Sequence, residues 1–135
     1  MSIDVGVAAL RGRFFDLFSQ ASTSGAHAGH FLLRFYAVEC GLKAAVLRRR
    51  RARSTAQLPE SLRSHDLRAL AIELRLPPLI TQALKPCASH ESGQQIHVHQ
   101  VHEAWRYGRR LSASTEKDFV AGLDLLIAWC REELR

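Results

Sequence analysis

The sequence has few of the features that mark a secreted or membrane protein. Its 135 residues include only three cysteines, Cys40, Cys87 and Cys130, and no two of them are in CxxC spacing. This number and spacing favour reduced thiols over a disulfide framework or a zinc ribbon. No basic start leads into an apolar run, and charged residues interrupt every apolar stretch before the roughly 18 residues that a membrane span needs. We therefore expect a soluble, cytoplasmic protein without a membrane segment.

Lysine is also scarce, yet the chain is basic. Lys43, Lys85 and Lys117 are the only lysines, while the net charge is +6 and the pI is near 9.9. Arginine, which supplies most of this charge, favours planar, bidentate contact with phosphate or carboxylate groups. Nucleic acid or an acidic protein is therefore an expected partner. A GC-rich coding sequence would explain the same arginine excess, so the charge alone does not identify nucleic acid or an acidic protein as the partner.

Apolar residues recur at helical spacing in most of the chain, which predicts an all-α fold. The length and a hydrophobic content of 47% predict one domain over residues 1–135. Six helices are expected. The first runs from Ile3 to Ala21, and a long second one runs from about His30 into the arginines at 48–53. A third is capped by Ser64, a short fourth begins at Pro78, a fifth ends at 108–110, and the last begins with a capping box at Thr115 and Asp118. The segment 86–95 is expected to be a loop, and only 96–101 alternates as a strand would.

Four histidines cluster in the sequence, at His90, His97, His99 and His102. Imidazole is a common metal ligand, but structural zinc needs three or four ligands that converge, and this spacing does not provide them. The chain also contains no Gly-rich phosphate loop, no GxSxG elbow and no Cys–His signature of a nucleophile. We therefore predict neither a metal site nor a cofactor.

A different chemistry is suggested by His102 and Arg106, which are four residues apart on the predicted fifth helix. A histidine that moves a proton, beside an arginine that stabilises phosphate charge, is the minimal equipment for metal-free RNA cleavage. A helix with one histidine and several arginines is also what a solvated basic face looks like. Both interpretations stay open at this point.

The run RRRRAR is a candidate phosphate-binding surface. No aromatic residue is interleaved with it, so any nucleic acid would be bound there through its backbone and without sequence preference. A solvated helix end followed by a loop is the alternative interpretation. The arginines predicted to bind nucleic acid are Arg48, Arg49, Arg50, Arg51, Arg53, Arg109 and Arg110.

Three segments, taken in order, resemble the HEPN family of helical nucleotide-binding domains (higher eukaryotes and prokaryotes nucleotide-binding). They are YAVECGLKAAVL at 36–47, SHDLRAL at 64–70 and WRYGRRL at 105–111, the last followed by an amphipathic helix. The positions that match the family pattern are Glu39, Lys43, His65, Asp66, Arg106 and Tyr107.

This resemblance implies an antiparallel, up-and-down bundle of four to five helices that commonly forms a homodimer. Family members occur in toxin–antitoxin pairs, phage-defence systems and RNA-processing machines. Many are metal-independent endoribonucleases in which an arginine is followed, after four to six residues, by a histidine. None of the seven histidines in this chain follows an arginine at that distance.

The departure from the ribonuclease motif favours a non-catalytic module that binds a protein partner, a second copy of itself, RNA or DNA. One alternative is an atypical metal-independent endoribonuclease in which His102 or His65 moves the proton and Arg106 contacts the phosphate. Another is a module that binds a nucleotide through its arginines and Tyr107.

Overall fold

The computed structural model describes residues 4–22 and 27–135, and α-helices make up most of this part of the chain. They are α1 (Val7–Ser22), α2 (Ala28–Arg50), α3 (Leu67–Glu73), α4 (Pro78–Thr81), α5 (Val101–Tyr107) and α6 (Ala113–Glu133). Strands β1 (Cys87–Ala88) and β2 (Gln95–Ile96) form an antiparallel hairpin with two residues in each strand, which overlaps the expected loop at 86–95 and ends one residue beyond it. The all-α class is thus confirmed. No helix of the described residues is long and apolar enough to cross a membrane.

Helix α2 lies at the centre and contacts α1, α3, α5 and α6. The start of α1 lies beside the segment that follows α2, since the amide of Val5 donates to Oγ1 of Thr55 over 2.9 Å. Helix α1 therefore runs antiparallel to α2. Helix α6 runs in the same direction as α2, because Phe35 stacks on Phe119 near their starts and Arg49 reaches Glu133 near their ends.

The return path from the end of α2 to the start of α6 consists of short elements. Helices α3, α4 and α5 contain seven, four and seven residues, and 3₁₀ turns and the hairpin fill the intervals. Pro77 and Pro78 end one element and begin the next, as proline does in a first turn. The structure thus has three long helices and three short ones among the described residues, whereas the expected up-and-down bundle has four to five helices.

Apolar packing between α1, α2 and α6 requires a glycine at one point. A Cβ atom on Gly41 would lie 2.8 Å from Sγ of Cys130 and 2.9 Å from Cδ1 of Phe14. Both distances are shorter than van der Waals contact, so Gly41 allows α2 to approach its two neighbours closely. Phe14 and Cys130 are fully buried at this crossing.

Two predicted helix caps are wrong, one by two residues and the other by three. Asp66, not Ser64, caps α3, because its side chain accepts from the amide of Ala69 over 3.1 Å. Ser112 caps α6 and accepts from the amide of Thr115, so the predicted box at Thr115 lies inside the helix. Short polar side chains at adjacent positions compete for the same role, and the backbone conformation decides between them. Ile3, the predicted start of the first helix, lies outside the described residues.

Candidate functional site at Glu39, His65 and His102

The fold brings a carboxylate from the middle of α2 against an imidazole that precedes α3. Oε1 of Glu39 lies 2.6 Å from Nδ1 of His65. The Glu39 side chain is 13% exposed and that of His65 is 50% exposed, so the pair joins the interior to the surface. A carboxylate that accepts the Nδ1 proton fixes the tautomer and leaves Nε2 as the basic nitrogen.

The second oxygen of Glu39 is also used. Lys43, one turn further along α2, places Nζ 3.0 Å from Oε2 of Glu39 and 3.3 Å from the carbonyl oxygen of Arg63. Its side chain is 11% exposed, so the ammonium group is largely removed from water. The pair therefore links α2 to the turn that leads into α3, and it compensates the charge that Glu39 brings into the interior.

His102 completes a row of side chains. Its ring centroid lies 4.2 Å from that of His65, and the rings of Phe35 and Tyr36 lie on other sides of it at 5.2 and 6.1 Å. Only 3% of His102 is exposed, and its buried Nδ1 atom has no hydrogen-bond partner. A buried polar atom without a partner costs free energy, whether it is a donor or an acceptor.

The surroundings of His102 disfavour its protonated form. Burial lowers the pKa of His102 below its ordinary value, and the neighbouring His65 and Arg106 act in the same direction. Glu103 and Glu39 oppose the shift but do not reverse it. His102 is therefore neutral at pH 7, and His65 is the imidazole of the pair that meets solvent.

Arg106 lies one helical turn after His102 on α5 and is exposed. Within the described part of the chain it has no ion pair or hydrogen bond, and its guanidinium carbon lies 5.4 Å from the centre of the Tyr107 ring. Its charge acts on His102. An uncommitted guanidinium beside the histidine pair is suited to a phosphate group. Asp66, in contrast, is used as the cap of α3.

The arginines at the end of α2 are largely committed to contacts within the chain. Arg48 donates to the carbonyl oxygen of Glu133 over 3.0 Å, and Arg49 donates to that of Leu74 over 2.6 Å. Arg50 holds both carboxylate oxygens of Glu73, at 3.1 and 3.2 Å. Arg48 and Arg49 thus satisfy carbonyl groups at the C-terminal ends of α6 and α3, where such groups lack partners within the helix. The remaining members of the predicted surface, Arg51 and Arg53, are exposed.

The two predicted basic groups do not form one surface. Arg109 and Arg110 line a cavity of about 360 Å³ together with His27 and Phe31, at the first turn of α2. The other arginines follow its last turn. Because α2 contains 23 residues, roughly 33 Å of helix separates the groups.

Sequence reasoning placed His102 or His65 with Arg106, but it did not place Glu39 and Lys43 beside them. The separation of 26 positions between Glu39 and His65 gives no local signal of contact. No three or more His, Cys, Asp or Glu side chains of the described residues are arranged to hold a metal ion. The assembled groups instead suit proton transfer next to an anion.

Comparison of the chain with protein-family models, with curated proteins and with solved structures found no match.

Proposed function

We propose that the chain is a HEPN-like helical module that cleaves RNA without a metal ion, with His65 as the base and Arg106 as the phosphate contact. The supporting observations are the 2.6 Å contact of Glu39 with Nδ1 of His65, the packing of His65 against His102, and an uncommitted Arg106 whose charge acts on His102. The sequence spacing had ranked binding above cleavage. Spatial proximity meets the same chemical need as a fixed spacing along the chain, and on this ground we propose cleavage ahead of binding.

The proposed reaction uses a nucleophile that RNA itself contains. Nε2 of His65 takes the proton of a 2′-hydroxyl, whose oxygen attacks the adjacent phosphorus. The bond from phosphorus to the 5′-oxygen breaks, and that oxygen takes a proton from water. The products are a 2′,3′-cyclic phosphate and a 5′-hydroxyl end. Arg106 stabilises the charge on the phosphorus oxygens, and Glu39 stabilises the imidazolium that forms.

We further propose that the module works in the setting that the family resemblance implies, a bacterial defence or toxin–antitoxin pair, as a homodimer or with a protein partner. His65 and Arg106 both lie at the surface, so a partner that covers them would block the reaction.

Incubation of labelled RNA with the purified protein in EDTA tests the proposal. We expect cleavage that yields 2′,3′-cyclic phosphate ends and stops when the 2′-hydroxyl at the cleaved position is replaced by hydrogen. His65→Ala should slow it by at least about a hundredfold, and Arg106→Ala by a similar factor. His90→Ala, which removes an exposed histidine elsewhere, is the control. Intact RNA, or equal rates in all variants, would contradict the proposal.

A second candidate is RNA binding without cleavage. It is favoured by the burial of His102, which at 3% exposure does not meet a substrate directly. In that case Arg106→Ala weakens RNA binding and flattens its salt dependence, while no product forms in any variant.

A further inference from the structure

A second cavity is lined by Glu103, Ala104 and Tyr107 of α5, the helix that also carries His102. Its volume is about 300 Å³, at the lower end of the range of about 300 to 1,000 Å³ that is usual for small-ligand sites. Ile96 and Ala104 form a buried apolar floor, with 8% and 5% exposure. Tyr107 and Glu103 form part of the rim. An apolar floor with a polar rim fits a flat ring that carries hydrogen-bonding edges.

Tyr107 brings an aromatic ring to this rim, and 73% of the residue is exposed. Its ring contacts the Arg106 guanidinium at 5.4 Å. A large exposed aromatic side chain beside a cavity is the arrangement on which unpaired bases stack in single-stranded RNA.

The polar groups of the rim offer both donors and acceptors. Three glutamines, Gln94, Gln95 and Gln100, line the cavity with Glu103 and Arg109. Arg109 already donates to Oε1 of Gln94 over 3.4 Å, which orients its guanidinium along the rim. A carboxylate such as that of Glu103 can accept two hydrogen bonds at once. Guanine is the base that presents two neighbouring donors, N1–H and N2–H, on one edge.

The geometry of α5 connects this cavity to the proposed cleavage site. At about 100° per residue, Arg106 lies about 40° around the helix from His102. Glu103 and Tyr107 follow in the same direction, at about 100° and 140°. Arg106 is therefore between the histidine pair and the cavity. An RNA phosphate group bound by Arg106 would thus lie between His65 and the cavity.

We infer that this cavity binds one unpaired base of single-stranded RNA, with guanine preferred, and thereby sets which phosphate reaches His65. The inference rests on the proposed function, since it assigns the substrate class of that site. Paired RNA is excluded because its bases are stacked and their Watson–Crick edges are occupied. The base stacks on Tyr107 over the apolar floor, and Glu103 accepts from its edge.

Binding is measured in EDTA by fluorescence anisotropy with the His65→Ala protein, so that the RNA stays intact. The probes are short labelled oligouridines with one central G, A, C or U, and a duplex of the same length. We expect the G probe to bind most tightly and the duplex most weakly. Tyr107→Ala should weaken binding of every single strand by about tenfold. Leu79→Ala, which removes an equally exposed apolar side chain at 76% exposure, is the matched control and should change nothing.

Two results would overturn the inference in different places. If Tyr107→Ala binds single strands as Leu79→Ala does, or if the duplex binds as tightly as they do, the cavity is not a base pocket. If Glu103→Gln leaves the order of the four bases unchanged, the guanine assignment is wrong. Binding that needs Tyr107 in a protein that cleaves no RNA upholds the pocket and contradicts the cleavage proposal. If Tyr107→Ala cleaves RNA with an unchanged KM, the cleavage proposal is upheld and the base pocket is contradicted.

Discussion

Nδ1 of His65 lies 2.6 Å from Oε1 of Glu39, although 26 positions separate the two residues. The contact joins the middle of α2 to the turn before α3. It depends on Lys43, which neutralises the other oxygen of the same carboxylate.

Replacing Glu39 alone should destabilise the protein. In Glu39→Leu the ammonium of Lys43 stays in a site where its side chain is 11% exposed, and the Arg63 carbonyl remains its partner. We expect the free energy of unfolding, measured in urea, to fall by about 2 kcal/mol. The double variant Glu39→Leu/Lys43→Met should recover most of it, because an apolar pair can replace a buried ion pair at little cost. A double variant as unstable as the single one would contradict this account of the pair.

His102 should make the fold sensitive to acid. Because burial lowers the pKa of His102 in the folded state, the unfolded chain binds more protons as the pH falls through its ordinary value near 6.5. Stability is therefore lost as the pH falls through about 6.5 and below it. His102→Phe should lose less stability over this range in urea unfolding. Equal losses would show that His102 does not titrate as described.

The arginines at the end of α2 should differ in how much each contributes to the free energy of unfolding. Arg49 donates to the Leu74 carbonyl and lies near the carboxylate of Glu133, whereas Arg51 is exposed. Arg49→Ala should lower the free energy of unfolding by about 1 to 2 kcal/mol, and Arg51→Ala by less than about 0.5 kcal/mol. Thermal unfolding of both variants measures this. Equal effects would mean that the Arg49 contacts add nothing to stability.

Two glycines in helices should respond to alanine with opposite signs. Gly41→Ala places a methyl group 2.8 Å from Sγ of Cys130, so we expect a loss of about 1 to 3 kcal/mol. Gly12→Ala, in α1, meets nothing within 4 Å and should gain about 0.5 to 1 kcal/mol. Urea unfolding of the two variants measures both changes in the free energy of unfolding. A stabilised Gly41→Ala protein would contradict the close approach of α1, α2 and α6.

The sequence predicted the long helices better than the segment between them. The apolar periodicity of α2 and α6 specifies one buried face for each, and both helices are where it predicts. The hairpin at Cys87–Ala88 and Gln95–Ile96 has two residues in each strand, too few for an alternating pattern to show. The cap of α3 was misassigned because Ser64 and Asp66 offer similar side chains.

The site was predicted residue by residue but not as an assembly. Motif positions pointed to Glu39 and His65 separately, and helical spacing paired His102 with Arg106. Contact between the two pairs arises from the way α3 and α5 pack on α2, which no local pattern encodes. The sequence does not reveal that Arg48 and Arg49 are committed to contacts within the chain. The carbonyl groups that accept their hydrogen bonds belong to helices far along the chain, so from the sequence the arginine run resembles a free binding surface.

The central claim is that Glu39 and His65 act as one catalytic unit, and a double-mutant cycle on the RNA cleavage rate in EDTA tests it most directly. Residues that act as a unit give effects that do not add. We expect Glu39→Gln, His65→Gln and the double variant to lower the rate by similar factors. Effects that multiply in the double variant, or a Glu39→Gln protein that cleaves at the wild-type rate, would contradict the claim.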